Sequence, residues 1–194
     1  METEIRELGF EALSEYAKIP IAFPVESHFR VDPIDAGLGG FRLTEEEVTP
    51  PRVKDYDGYP DGGPERWLKR FDVSNWGLFV ALSGARWYGG ATVAFHTPAL
   101  HVLGGRSDLA VLWDLRVHPD FRRHGIGSDL FRYAAQWARQ RGCTQLKVET
   151  QNVNVPACRF YRRQGCVLGG IDVFGYKGEP EVRDETMFLF YLDL

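Results

Sequence analysis

The chain has 194 residues, 44% hydrophobic and 26% charged, which are ordinary values for a globular protein able to bury a sizeable core. Its formal net charge of -4 argues against a nucleic-acid partner, which selects a basic surface, and no stretch approaches the roughly 18 apolar residues of a membrane span. The three cysteines, Cys143, Cys158 and Cys166, lack CxxC spacing and fit reduced thiols in a cytoplasmic protein, and the start METEIRELGF has early acids and no apolar run that would read as a signal peptide.

In chain order, residues 11–18 are predicted as a short helix and SHFRV alternates as a strand. The segments DPIDAGLGG and VTPPRVKDYDGYPDGGP are predicted as loops from their Gly, Pro and Asp content, and long loops in a compact domain tend to carry function. WGLFVAL and WYGGATVAF flank the turn SGAR as a hairpin. AVLWDLRV is an apolar run suited to a buried strand. Over residues 126–141, Ile126, Leu130, Ala134, Trp137 and Ala138 recur at helical spacing, with Arg139 and Arg141 near the end and Gly142 as the stop. QLKVET alternates as a strand, residues 156–164 form a second helix between Pro156 and Gly165, and VLGGIDVF and TMFLFYLDL close the chain as strands. A strand–helix–strand crossover makes a parallel pair, and the hairpins make antiparallel ones. The fold class is therefore α/β (α+β), a mixed central β-sheet covered by helices, expected as one domain over 1–194 in which 1–74 supplies an N-terminal helix and loops.

The junction HPDFRRHGIGSDLF is the strongest local signal. Its glycines let the backbone turn sharply and approach a ligand, and the helix that follows offers unpaired N–H groups and the positive end of its dipole. Arg122, Arg123 and His124 add charge, so the junction suits a phosphate bound by backbone. It has neither the Lys-Ser/Thr pair of a P-loop nor the GxGxxG spacing, and taken alone it also reads as a tight connection with a solvated basic face.

The order of two motifs narrows the choice. Arg122-x-x-Gly125-x-Gly127 resembles the first signature of the GCN5-related N-acetyltransferases (the GNAT family). The downstream NVNVPACRFYRRQGC resembles the second, as Asn154, Ala157, Tyr161 and Gly165, with Cys166 where the family usually has Phe. The resemblance covers 75–194. Within the family, VETQNVNVPACRFYRRQG followed by GGIDVFGYKGEP, and PPRVKDYD upstream, resemble the streptothricin acetyltransferase group.

The resemblance implies a GNAT fold with a splayed parallel strand pair, and acetyl-CoA as co-substrate. It puts the pyrophosphate on the amides of residues 123 to 128 (Arg123, His124, Gly125, Ile126, Gly127 and Ser128) with Arg122 and Arg123 in support. It lays the pantetheine arm along Leu115 and Val117, with Asn154 on the other side. It makes Tyr161 the general acid for the leaving thiolate, and Asp114 or Glu149 the base, directly or through water, with Asp114 the first choice. The acceptor group falls to Asp55, Tyr56, Asp57 and Trp113, and the substrate to a small amine, the β-lysine part of streptothricin. Read without the resemblance, each of these has a structural alternative: Asn154 as a helix cap, Tyr161 as a packed aromatic, Asp114 and Glu149 as hydrogen-bonding acids in apolar strands, Trp113 as core, and Glu45, Glu46 and Glu47 as a solvated face.

His96, His101 and His118 have no metal-ligand spacing, so no metal is expected. Members of the family form dimers, which leaves a homodimer open. Two further readings stand beside streptothricin: a GNAT enzyme for another antibiotic, a polyamine or a peptide N-terminus, and a non-catalytic acetyl-CoA-binding module.

Overall fold

The computed structural model describes residues 3–60 and 62–194. In chain order the elements are β1 (Glu4–Leu8), α1 (Leu13–Tyr16), β2 (Phe23–Pro33), β3 (Phe41–Lys54), α2 (Trp67–Arg70), β4 (Gly77–Ser83), β5 (Arg86–Ala94), β6 (Leu109–Val117), α3 (Ile126–Gln140), β7 (Gln145–Gln151), α4 (Val155–Arg163), β8 (Val167–Asp172) and β9 (Met187–Asp193). Seven strands form a mixed sheet in the order β1-β4-β5-β6-β7-β9-β8, and β2 and β3 form a separate two-stranded ribbon. The chain divides into two compact units, one of residues 1–22, 55–148 and 192–194, the other of residues 23–54 and 149–191.

In the first unit, β4 and β5 are buried at nearly every position, as expected of strands covered on both faces. The hairpin turns at Gly84, whose φ of 59° lies in the left-handed region that glycine tolerates. Helix α3 lays Ile126, Leu130, Ala134, Trp137 and Ala138, the stripe that the spacing predicted, into the core together with Phe131, and Phe79 of β4 meets Tyr133 and Trp137 at 5.1 and 5.8 Å between ring centroids. The helix stops at Gly142, where the N–H groups of Gly142 and Cys143 take the carbonyls of Arg139 and Ala138. Strand β1, which the sequence reading did not anticipate, pairs antiparallel with β4 from Glu4↔Leu82 to Leu8↔Leu78. Its acids and Arg6 suit a sheet edge, where charge discourages further pairing.

Two irregularities shape β6. Its pairing with β5 runs Thr92↔Asp114 and then Val93↔Leu112, so Trp113 is the extra residue of a β-bulge. Its parallel pairing with β7 runs only from Leu109↔Gln145 to Leu112↔Val148, whereas β6 continues to Val117. A parallel pair whose ladder stops part-way is what a splayed pair requires.

In the second unit, the ribbon pairs Phe23↔Lys54 through Pro33↔Phe41 with a shift between Val25 and Ser27. The loop predicted over 48–64 is corrected at its start: Val48 to Lys54 belong to β3. Pro50 and Pro51 misled because proline donates no ladder hydrogen bond, but both strands of a two-stranded ribbon are edges, where that costs little. Strands β8 and β9 pair antiparallel, and Phe29 meets Phe188 at 6.3 Å.

At the foot of the ribbon the buried Lys54 ammonium bonds the buried Glu185 carboxylate, with the half-exposed Arg52 at 3.3 Å. Burial, which disfavours the ammonium, lowers the Lys54 pKa despite that partner. Lys54→Ala is expected to lower the unfolding free energy in urea by about 3 kcal/mol, because it leaves Glu185 buried with little compensation, whereas Lys54→Met combined with Glu185→Leu should cost far less.

Candidate active site

The turn before α3 carries two residues in the left-handed region, Arg123 at φ 65° and Gly125 at φ 86°. Backbone of this kind turns successive N–H groups toward one side and makes an anion-binding concavity. Gly125 is the N-cap of α3 and no side chain caps that helix, so its first turn relies on other acceptors. Arg122 is committed elsewhere. Its guanidinium donates to the carbonyls of Val117 at 3.0 Å and Ala22 at 2.9 Å, and burial lowers its pKa. It therefore ties the turn to the end of β6 instead of standing free in solvent. His124 places Nδ1 2.9 Å from the Arg122 carbonyl. Arg123 and His124 are exposed, and Leu115 and Val117 are half-buried on β6.

Asp114 lies at the centre of a buried network. It accepts from the Tyr16 hydroxyl at 2.5 Å and from Arg116 Nε and Nη2 at 2.8 and 2.7 Å. Arg116, 1% exposed, also donates to the Ile19 carbonyl at 3.0 Å and to both oxygens of Asp57 at 2.8 and 3.2 Å, and it lies over the Tyr16 ring. Asp55 is exposed, and its Oδ1 accepts from the Asp57 N–H at 3.1 Å; Tyr56 between them is half-buried. The network thus brings together Asp114, Asp57 and, through Asp57, Asp55. Arg116 and Tyr16 were missed by the sequence reading. A signal existed for Arg116: it stands two residues from Asp114 in an apolar strand, so the two share a face and can pair.

Trp113, at the bulge, is half-buried and meets Phe71 at 5.3 Å and Trp76 at 5.5 Å. It forms the partly open margin of an aromatic cluster that continues to Trp67 and Phe10.

In the second unit, Asn154 caps α4: its Oδ1 accepts from the Ala157 N–H at 3.1 Å. Tyr161 is buried on that helix against Phe160 and Phe190. Glu149 is exposed on β7, on the face opposite Leu146 and Val148, and accepts from the Tyr176 hydroxyl at 2.9 Å. Tyr176 in turn accepts from Gln151 at 3.0 Å, a pairing across a long sequence gap that had no local signature. On the ribbon, Glu45 bonds Ser27 and Arg159, and Glu46 bonds Arg30. These acids are partnered on the surface. Among the described residues no group of three His, Cys, Asp or Glu could hold a metal ion, and no helix is long and apolar enough to cross a membrane.

The acetyltransferase (GNAT) family model matches residues 42–166. A streptothricin acetyltransferase of Streptomyces lavendulae is 32% identical over 158 residues, 80% of this chain and 78% of that one. Streptothricin acetyltransferases of Escherichia coli and Bacillus subtilis are 40% and 32% identical over 85 and 82 residues; these matches span 49% and 47% of those proteins, about half their length. Among solved structures, a nourseothricin acetyltransferase superposes with a TM-score of 0.77 at 26% identity, over 100% of this chain and 99% of that one. A Bacillus anthracis protein crystallised with acetyl coenzyme A superposes with a TM-score of 0.76 at 26% identity, over the whole of both chains.

The three cysteines are free and buried. Burial raises the Cys158 thiol to about 12 and that of Cys166 to about 11. A raised thiol pKa removes thiolate at neutral and mildly alkaline pH, so iodoacetamide at about pH 8 should label both at least about 100-fold more slowly in folded than in unfolded protein. Mass-spectrometric labelling at equal rates in the two states would contradict this.

Proposed function

Because the chain belongs to the acetyltransferase (GNAT) family, we propose that it is an acetyl-CoA-dependent N-acetyltransferase whose acceptor is a primary amine on the β-lysine part of streptothricin. The observation that carries the reading is the turn at Arg123–Gly125 leading into a fifteen-residue helix, directly after a strand that runs past the end of its parallel ladder. The helix N-terminus and the left-handed turn suit a pyrophosphate, and the β6 backbone from Trp113 to Val117 suits an extended amide-bearing arm. The identity to streptothricin acetyltransferases supports the choice of acceptor.

Acetyl-CoA supplies an activated thioester. Amides from 123 to 128, with Arg123 and His124, hold its phosphates, while Arg122 holds the turn through the Val117 and Ala22 carbonyls. Leu115 and Val117 receive the arm by backbone pairing, and Asn154, besides capping α4, contributes from its own helix.

The amine must be neutral to attack, and the thiolate that leaves must gain a proton. Tyr161 supplies that proton. Glu149, exposed and held by Tyr176, takes the proton from the ammonium, directly or through water. Asp114 was the first choice from the sequence. Its oxygens are already occupied by Tyr16 and Arg116, so its part is to hold the strand and the loop. Asp55 and Tyr56 face the acceptor with Asp57 behind them, and Trp113 offers an aromatic face to a cation.

The deciding experiment is thiol release from acetyl-CoA with streptothricin, spermidine and a peptide N-terminus as acceptors. Streptothricin should turn over with the highest kcat/KM. Faster turnover of another amine keeps the acetyltransferase and replaces the acceptor, and cofactor binding without thiol release from any amine means a binding module. Tyr161→Phe should lower kcat by roughly 10- to 1,000-fold with little change in acetyl-CoA affinity. Gly127→Val should weaken acetyl-CoA binding by calorimetry in a folded protein, because a branched side chain in the first turn of α3 obstructs the approach of a phosphate.

A further inference from the structure

Residues 55–60 and 62 lie outside any helix or strand, yet they are held from two directions. Gly62 lies so close to Tyr56 that a Cβ there would come within 2.3 Å of the Tyr56 carbonyl oxygen. From the opposite end, Asp57 is clasped by Arg116 through two hydrogen bonds of 2.8 and 3.2 Å. The Asp57 N–H then donates to Asp55 Oδ1, so the direction of the Asp55 carboxylate follows from the placement of Asp57. Arg116 is itself fixed by Asp114, which engages Nε and Nη2 and aims the rest of the fork at Asp57 and the Ile19 carbonyl. A line of contacts therefore runs from β6 through Arg116 and Asp57 to the exposed Asp55. Arg116, 1% exposed, cannot meet an acceptor itself.

We propose that Arg116 is a positioning residue for the acceptor amine: acting through Asp57, it sets the orientation of the Asp55–Tyr56 turn that grips a non-reacting ammonium group of the substrate. This rests on the reading of the protein as an acetyltransferase for a polycationic amine. Lysine cannot replace it, because a single ammonium lacks the planar fork that holds two carboxylates and a carbonyl at fixed angles.

The test combines steady-state kinetics with hydrogen exchange on the full chain. Asp57→Asn should raise the acceptor KM about 10-fold, more than it lowers kcat, and leave the acetyl-CoA KM within about two-fold. Asp55→Asn should raise KM similarly, and adding Asp57→Asn to it should change KM by less than about two-fold further, because both act through one turn. Multiplicative effects in the double variant, or an unchanged KM in folded Asp57→Asn, overturn the proposal. Exchange gives an answer independent of turnover. In Arg116→Lys and Asp57→Asn, amides of 55–59 should exchange about 10-fold faster while those of β4 and α3 keep their rates. Unchanged exchange at 55–59 overturns the positioning role. If Arg116→Lys does not fold, Asp57→Asn carries both measurements. If the wild-type protein releases no thiol with any amine, the acetyltransferase reading fails, and the exchange result still decides whether Arg116 sets the turn.

Discussion

A guanidinium removed from water must find acceptors for its donors, and Arg116 organises much of the first unit by doing so. Burial works against its charge, but the adjacent Asp114 carboxylate and Asp57 outweigh that and hold its pKa above the ordinary value. The same contacts gather the Ile19 carbonyl beyond α1, the Asp57 turn and strand β6 around one group. Tyr16, fully buried, has its pKa pushed well up by burial and by Asp114, so its proton stays in place and the hydroxyl remains a donor to the carboxylate. The strand that carries the bulge at Trp113 is thereby kept rigid next to a loop that has no ladder of its own.

A second constraint concerns the turn before α3. Arg122 at its start is used internally, on two backbone carbonyls. Its bonds to Val117 and Ala22 close the turn, so the exposed charge comes from Arg123 while the shape comes from Gly125 and the left-handed Arg123. The amphipathic helix behind the turn is anchored by Leu130, Ala134 and Ala138, all fully buried, which fixes the direction of its N-terminus. The positive end of a helix dipole points along the helix axis, and burial of one face of α3 fixes that axis.

The second unit shows the same economy with acids. Glu45 and Glu46 pair with Ser27, Arg159 and Arg30, which accounts for them as a surface pattern of the ribbon. Glu149 has a different setting, next to a tyrosine that is buried and hydrogen-bonded in its turn by Gln151. Asn154 caps α4, so the residue type that the second motif requires is also one the helix needs.

The sequence by itself determined the elements whose signal is periodic or conformational. Helix α3 is written in the spacing of Ile126, Leu130, Ala134, Trp137 and Ala138, its ends in Gly125 and Gly142, and the sharp turn before it in the glycines. These features depend on neighbours a few residues away, so a linear reading reaches them. Strand β1 and the second half of β3 escaped it, because charged and proline-bearing edge strands are stabilised by a partner strand and not by their own pattern. Which partners the acids meet was decided only by tertiary structure. Asp114, Asp57 and Glu149 look alike in the chain, but Arg116 occupies the first two from 2 and 59 residues away, and Tyr176 reaches the third across 27. What a carboxylate can do depends on which charges and donors surround it after folding, and contacts over such separations are made by the packing of strands and loops, which no local pattern encodes.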